Sequence, residues 1–258
     1  MKIGPRIRCI AKTDVGPQRD HNEDSFAVVE SDGLYLVADG MGGHAAGEVA
    51  SKLAVDVITE FFRKSAGGEI TWPFKIDPER PLVENRLACA IKLASHHIFL
   101  EARGDMKRRG MGTTVVAAAV EHGRIHIAHV GDSRCYRIRA GDVERLTLDH
   151  TMLEEFKRYN PDMTPEEEKR FAHRSVLSRA LGVREAEVEV DLQRHELVPG
   201  DRFVLCSDGL SGPVDDWGML AAVAGAGDDL EAATAELITR ANRDGGTDNV
   251  TVILLSWA

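Results

Sequence analysis

Two textures of hydrophobic spacing alternate along this chain. Residues 46–62 carry Val49, Leu53, Val57 and Phe61 at every fourth position, with Ala50, Ala54 and Ile58 beside them. That is a single apolar stripe at the helical period. A Gly/Pro-bearing stretch, 65–81, interrupts it. A second helix is predicted over about 82–102, with Leu87, Ile91, Ala94 and Ile98 on one face. One stripe per helix means that each lies on something flat. From Met111 the texture becomes short and β-branched or alternating, over 113–120, 125–130, 135–139 and 143–146. The turns between these runs, His122-Gly123, Gly131-Asp132 and Gly141-Asp142, are too short for parallel crossovers and predict an antiparallel meander.

The flanks extend this pattern. Short apolar runs in 6–12 and 26–38, with a Ser31-Asp32-Gly33 turn between runs, predict strands and a β-hairpin. Residues 147–182 are polar and helical in flavour, with Thr164-Pro165-Glu166 as a helix start. Strands are predicted near 187–192 and 202–206, helices near 215–223 and 230–241, and a last strand at 250–256. Antiparallel runs broken by helix pairs predict a layered α+β fold, with two sheets covered by helices in one domain.

Composition adds bounds. With 258 residues, 43% of them hydrophobic and 29% charged, the chain is long enough to bury roughly 70–75% of its unfolded surface and needs no staples. The net charge of −10 repels phosphate backbones, which argues against a general nucleic-acid binder while leaving room for a small phosphorylated group held by local cations. Cys9, Cys89, Cys135 and Cys206 lie far apart with no CxxC pair, the pattern of buried thiols in a reducing compartment. No signal-peptide core or membrane-length apolar run is present, so a cytoplasmic location is expected.

Several chemistries are excluded by motif. There is no Gly-Lys dipeptide for a P-loop, no G-x-S-x-G elbow, and His195-Glu196 lacks the second His of H-E-x-x-H. No Cys is followed at the right spacing by the Arg of a cysteine-phosphatase loop. What remains is a set of carboxylates at strand ends: Glu23-Asp24, Asp39-Gly40 opening DGMGGH (39–44), Asp132-Ser133-Arg134, Asp208-Gly209 and Asp248-Asn249. Any one of these reads as an ordinary turn. Five together, all beside β-branched runs, favour a site for hard divalent ions, since unscreened carboxylates would repel one another; all-oxygen ligation suits Mg²⁺ or Mn²⁺.

The ordered segments TDVGPQRDHNEDS (13–25), LVADGMGGHAAGEVAS (36–51), GMGTTVVAA (110–118), HVGDSRCYRI (129–138), LTLDHT (146–151), SVLSRALG (175–182), VLCSDGL (204–210) and GGTDNVTV (245–252) span nearly the whole chain. In these motifs the sequence resembles the bacterial form of the protein phosphatase 2C family, the metal-dependent protein Ser/Thr phosphatases. The resemblance implies a four-layer α-β-β-α sandwich over residues 1–258, with a variable flap at about 147–182. It implies hydrolysis of phosphoserine and phosphothreonine in proteins by a metal-bridging hydroxide, in opposition to a bacterial Ser/Thr kinase.

By position, the resemblance makes Asp39 the carboxylate bridging two Mn²⁺ or Mg²⁺ ions. Glu23 and the Gly40 carbonyl join it at one ion, and Asp208 and Asp248 hold the other. Asp132 with Asp208 would hold a third, weaker ion. Arg19 would grip the substrate phosphate through its planar fork. His44 is a candidate general acid, the alternatives being a structural loop histidine or Met41 in that position, and Asp24 and Asn249 support the ligands from behind. The competing reading of Asp132 is a turn aspartate bridged to Arg134. His96 and His97 read as solvated or packing residues, His129 as structural, and His150 has no assigned role. Residues 65–81, with Trp72-Pro73-Phe74, are a surface loop or a docking patch. Residues 152–172, with Glu154, Glu155, Glu166, Glu167 and Glu168, are either a solvated acidic helix pair or a lid that favours basic sequence near the phosphosite. The expected partners are phosphoserine and phosphothreonine proteins, together with a cognate kinase and its substrates. No nucleic acid or membrane partner is expected, and the expected state is a monomer.

Overall fold

A computed structural model describes residues 7–42, 45–67 and 70–258 of the chain. Strands β1 (Ile7–Asp14), β2 (Asp24–Val29), β3 (Leu34–Met41), β4 (Gly112–Thr113), β5 (Val115–Glu121), β6 (Arg124–Val130), β7 (Arg134–Arg139), β8 (Asp142–Arg145), β9 (Asp191–Glu196), β10 (Arg202–Cys206) and β11 (Val250–Trp257) form two antiparallel sheets. The first runs β1-β11-β10-β7-β8. The second runs β2-β3-β5-β6-β9, with β4 paired to the end of β3.

Alternation along the strands sorts side chains into three apolar layers. Tyr35 and Val37 of β3, Val116 and Ala118 of β5, and Ile125 and Ile127 of β6 meet Cys135, Phe203, Leu205, Ile253 and Leu255 between the sheets. On the opposite face of the second sheet, Leu34, Leu36, Ala38, Val115, Ala117 and Ala119 receive α1 (Ala45–Lys64) and α2 (Leu82–Gly104) through Ala50, Ala54, Ile58, Leu87, Ile91 and Ile98. On the outer face of the first sheet, Val204, Cys206, Val252 and Leu254 receive α6 (Asp216–Gly225) and α7 (Leu230–Asp244). A strand apolar at both parities must be covered on both faces, and β3, β5, β10 and β11 are. The result is the expected four-layer sandwich.

Three local expectations change. The hairpin forms between β2 and β3 through a 3₁₀ turn, Glu30–Asp32, while β1 pairs with β11 in the other sheet. The meander is broken: β5 and β6 pair, and β7 and β8 pair, but β7 joins β10. The chain therefore changes sheets at residues 131–133. Gly131, at φ +104°, supplies the turn. Finally, the strand expected near 187–192 starts later, at Asp191. Asp191 is opposite His129, and the residues before it run past the end of β6 at Val130. Val188 and Val190 pack against the helix-covered core without a ladder partner.

The flap contains two short helices, α3 (Met152–Tyr159) and α4 (Pro165–Arg170). Thr164 starts α4 with a full capping box: its hydroxyl accepts from Glu167 N, and the Glu167 carboxylate accepts from Thr164 N. Phe156 and Phe171 pack at 5.1 Å between ring centres, which closes the pair on itself. In the 65–81 connection, Trp72 lies edge-on to Phe61 of α1 at 5.9 Å. Among the described residues, no helix is long and apolar enough to cross a membrane.

Candidate active site

One end of the sandwich collects the chain segments that matter. At this end β3 runs out through Asp39-Gly40, β2 begins at Asp24, and β6 gives way to the sheet-changing turn. Here too β10 ends at Cys206, ahead of the short helix α5 (Asp208–Ser211), and β11 begins just after Asp248-Asn249. The antiparallel registers force this convergence: Asp24 is opposite Asp39, Cys206 opposite both Val252 and Arg134, and Val115 opposite Val130. The outcome is an open cleft of about 540 Å³, lined by Arg19, Glu23, Asp39, Gly40, Met41, Asp132, Asp208 and Asp248, with residues 175–177 as a far wall.

Every carboxylate assigned a metal from the sequence lies in this cleft. Gly40 is where it must be: a Cβ there would stand 2.1 Å from the Gly47 carbonyl oxygen of α1 and 2.6 Å from that of Glu23. The bare backbone lets the helix and the Glu23 loop close on the end of β3, and the Gly40 N–H donates to Glu23 O (3.1 Å). Asn249 holds the same loop from beneath. Its Oδ1 accepts from Glu23 N (2.8 Å), and its Nδ2 donates to Val15 O and His21 O (2.8 Å each). Asp24 is buried and accepts from Ser207 Oγ (2.8 Å), a contact that joins the two sheets behind the site.

The electrostatics are those of gathered like charges. Burial, then the charges of Asp24, Asp208, Asp132 and Asp248, raise Asp39 well above the usual carboxylate range. Burial pushes Asp132 up to about 7, with Asp208 adding to it. Burial likewise pushes Asp24 up to about 7, against hydrogen bonds from Thr251 and Ser207 that lower it. Asp208 and Glu23 are raised, burial being the leading cause for both. Such a set is costly without cations. Among the described residues, no three of these carboxylates bring oxygens within 4.8 Å of one another; the group that tight is His129, His150 and Asp191.

The residues fit a divalent metal centre. Among the described residues, buried Asp208 Oδ1 accepts no hydrogen bond, which leaves it available as a ligand atom. The donors are all oxygens arranged around an open cleft, which suits ions that keep part of their water shell.

Arg19 stands at the rim, where Nη2 pairs with Asp248 Oδ2 (2.7 Å) and Nε donates to Thr247 O (3.1 Å). His44 lies outside the described residues. Arg134 does pair with a carboxylate, but with Asp149, through Nε to Oδ1 (2.8 Å) and Nη2 to Oδ2 (2.6 Å). The salt bridge that would have made Asp132 a turn aspartate is therefore absent, and Asp132 faces the cleft instead. His96 and His97 are exposed on α2, as expected.

Sequence reasoning missed several supports. Thr114 Oγ1 accepts from Asp39 N (3.2 Å) and bonds Ser133 Oγ (2.7 Å), and Thr114 N donates to Asp39 O (2.9 Å). Ser207 bonds Asp24 as described and accepts from Thr251 N (3.0 Å). Threonine and serine beside a strand carry no chemical signature until the partner strand is known.

Comparisons with known proteins show the family. Residues 18–250 match the family model for protein phosphatase 2C. The serine/threonine phosphatase stp of Listeria welshimeri is 36% identical over 247 residues, covering 95% of this chain and 93% of its own. The Mycobacterium tuberculosis serine/threonine protein phosphatase PstP is 36% identical over 248 residues, covering 96% of this chain and 44% of its own. The crystal structure of the M. tuberculosis enzyme superposes with a TM-score of 0.82 at 35% identity, covering 97% of this chain and 98% of that one. A PstP catalytic domain solved with two manganese ions gives 0.81 at 33% identity, with 98% and 99% covered. With eight ordered motifs, the four-layer sandwich and a carboxylate-lined cleft, this chain belongs to the protein phosphatase 2C family of metal-dependent protein serine/threonine phosphatases, in its bacterial form.

Proposed function

We propose that the chain hydrolyses phosphoserine and phosphothreonine in proteins through a metal-bridging hydroxide, and that it reverses the action of a bacterial Ser/Thr kinase. The observation that carries this reading is the cleft itself: five carboxylates from separate segments face one space, and Asp208 Oδ1 is buried there with no hydrogen-bond partner among the described residues. Asp39 would be shared by two ions, with Glu23 and the Gly40 carbonyl holding one and Asp208 and Asp248 the other. Asp132 with Asp208 is the place for a third, weaker ion. When bound, the ions neutralise these carboxylates and supply a hydroxide at neutral pH. Arg19 orients the substrate phosphate from the rim with two parallel N–H donors. The net charge of −10 and the acidic flap favour phosphosites in basic sequence.

The test is hydrolysis of an aryl phosphate monoester, of the matching diester, and of a phosphothreonine peptide. Chelator should abolish monoester and peptide turnover, and Mn²⁺ or Mg²⁺ should restore both. Asp39→Asn should be inactive with an unchanged circular dichroism spectrum. Full activity after dialysis into excess chelator, or a preference for the diester, would refute the reading.

A further inference from the structure

His129, His150 and Asp191 lie just behind the turn that carries Asp132, and a ligand-capable atom of each lies within 4.8 Å of the others. The composition is that of a metal site, but the hydrogen bonds oppose it. Gly131 N donates to His150 Nδ1 (3.1 Å), so the neutral ring carries its proton on Nε2. His129 Nε2 donates to Leu148 O (2.9 Å). Arg179 Nη1 already neutralises Asp191 Oδ1 (2.7 Å). One free ring nitrogen and one paired carboxylate do not hold a cation.

The same contacts describe a clamp. His150 grips the sheet-changing turn twice: its Nδ1 accepts from Gly131 N, and its own N–H donates to Gly131 O (2.9 Å). Its carbonyl accepts from Ser178 N (2.9 Å). The adjoining residues continue the link, with Met152 N donating to Val176 O (2.8 Å) and Thr151 bridging to Leu177. The 175–177 segment is the far wall of the cleft. The ring is fixed in turn by stacking on His129 at 4.6 Å and 23°. Nε2 also lies 3.3 Å from Asp191 Oδ2, near enough to feel its charge though off-line for a full hydrogen bond.

We propose that His150 is a positioning residue that sets the Asp132 backbone and the 175–177 wall of the cleft as one unit, with Asp191 and Arg179 fixing its ring. The inference rests on the reading of Asp132 as the ligand of a weak third ion. His150 touches neither substrate nor metal; it acts by holding Gly131, the residue before the ligand.

The experiment compares two amide substitutions, because each preserves one end of the ring. In His150→Asn the amide oxygen sits at the Nδ1 position and can accept from Gly131. In His150→Gln the amide sits at the Nε2 position and leaves Gly131 N unpaired. Mn²⁺ titrations of kcat on an aryl phosphate are run for both, beside Asp132→Ala. His150→Gln should lose about 10-fold in kcat and need about 10-fold more Mn²⁺ in the weak phase, with KM little changed, and His150→Asn should recover most of this loss. A uniform structural defect would lower active fraction without moving the Mn²⁺ midpoint. Equal loss in both amides, or wild-type behaviour of His150→Gln, overturns the inference. If His150→Gln does not fold, Asp191→Asn replaces it: release of the ring should raise the same midpoint about 3-fold, less than the about 10-fold expected of His150→Gln because Asp191 acts only through the ring, and an unmoved midpoint overturns the inference. Should Asp132→Ala itself leave kcat and the weak phase intact, the third-site reading fails. A defective Asp132→Ala beside a normal His150→Gln refutes the clamp alone.

Discussion

The strain of the metal-free cleft gives a stability signature that is opposite to the usual carboxylate behaviour. Most native carboxylates are stabilised in their charged form, so proteins lose stability as acid protonates them. Asp132 is the reverse: its value rises from 3.8 to about 7 in the folded protein. The folded state therefore binds the proton more tightly than the unfolded chain, and stability must fall as pH rises through the window between these values. At about pH 5 the folded carboxyl is neutral and the unfolded one mostly charged. At about pH 8 both are charged, and the folded state carries the full penalty. Linkage puts the loss between these two pH values at about 2–3 kcal/mol for this group, an upper bound because cleft water and counterions relax around the charge. Asp132→Asn removes the titration while keeping the shape. Urea unfolding in excess chelator should show wild type losing stability from about pH 5 to pH 8, and the variant losing less by up to that amount. Saturating Mn²⁺ should shrink the difference, because bound cations remove the penalty that Asn removes. Parallel pH curves for the two metal-free proteins would show that Asp132 carries no such penalty.

Three further outcomes follow from particular contacts. Arg19→Ala should lower kcat/KM on a phosphopeptide by about 10-fold or more, mostly through KM, since a charged hydrogen bond to phosphate is lost; an unchanged kcat/KM would remove Arg19 from the site. Asn249→Ala deletes three part-buried hydrogen bonds that hold the Glu23 loop, so urea unfolding should show a loss of about 2–4 kcal/mol together with weaker Mn²⁺ activation. Replacing Glu166, Glu167 and Glu168 by Gln should reduce the preference for basic phosphopeptides while sparing aryl phosphates, because the amide at position 167 can still serve the Thr164 cap; equal loss on both substrates would show a structural role.

Local pattern was sufficient for the helices and for most strands. The four-residue stripes of α1 and α2 each name one face that must be buried, the unbroken apolar runs of β5, β10 and β11 name two, and the burial follows. The carboxylates were legible for a related reason. A strand that stops at Asp-Gly or starts after Asp-Asn announces a polar end, and several such ends in one antiparallel fold can share a rim.

The sequence left open which strands pair, because pairing is a choice between segments distant in sequence. Nothing near residues 131–133 says that β7 leaves β6 for β10; only the competing surfaces of the two sheets decide it, and that decision aims Asp132 into the cleft. Arg134 could have paired with the neighbouring Asp132, but the sheet change sends its guanidinium to Asp149. His150 looks like one more histidine in a polar stretch until the fold sets it against Gly131 and Asp191. Local pattern names most of the elements, their apolar faces and the kind of chemistry at their ends. The tertiary structure decided which ends meet, because a hydrogen bond or a shared charge depends on distances that only packing creates.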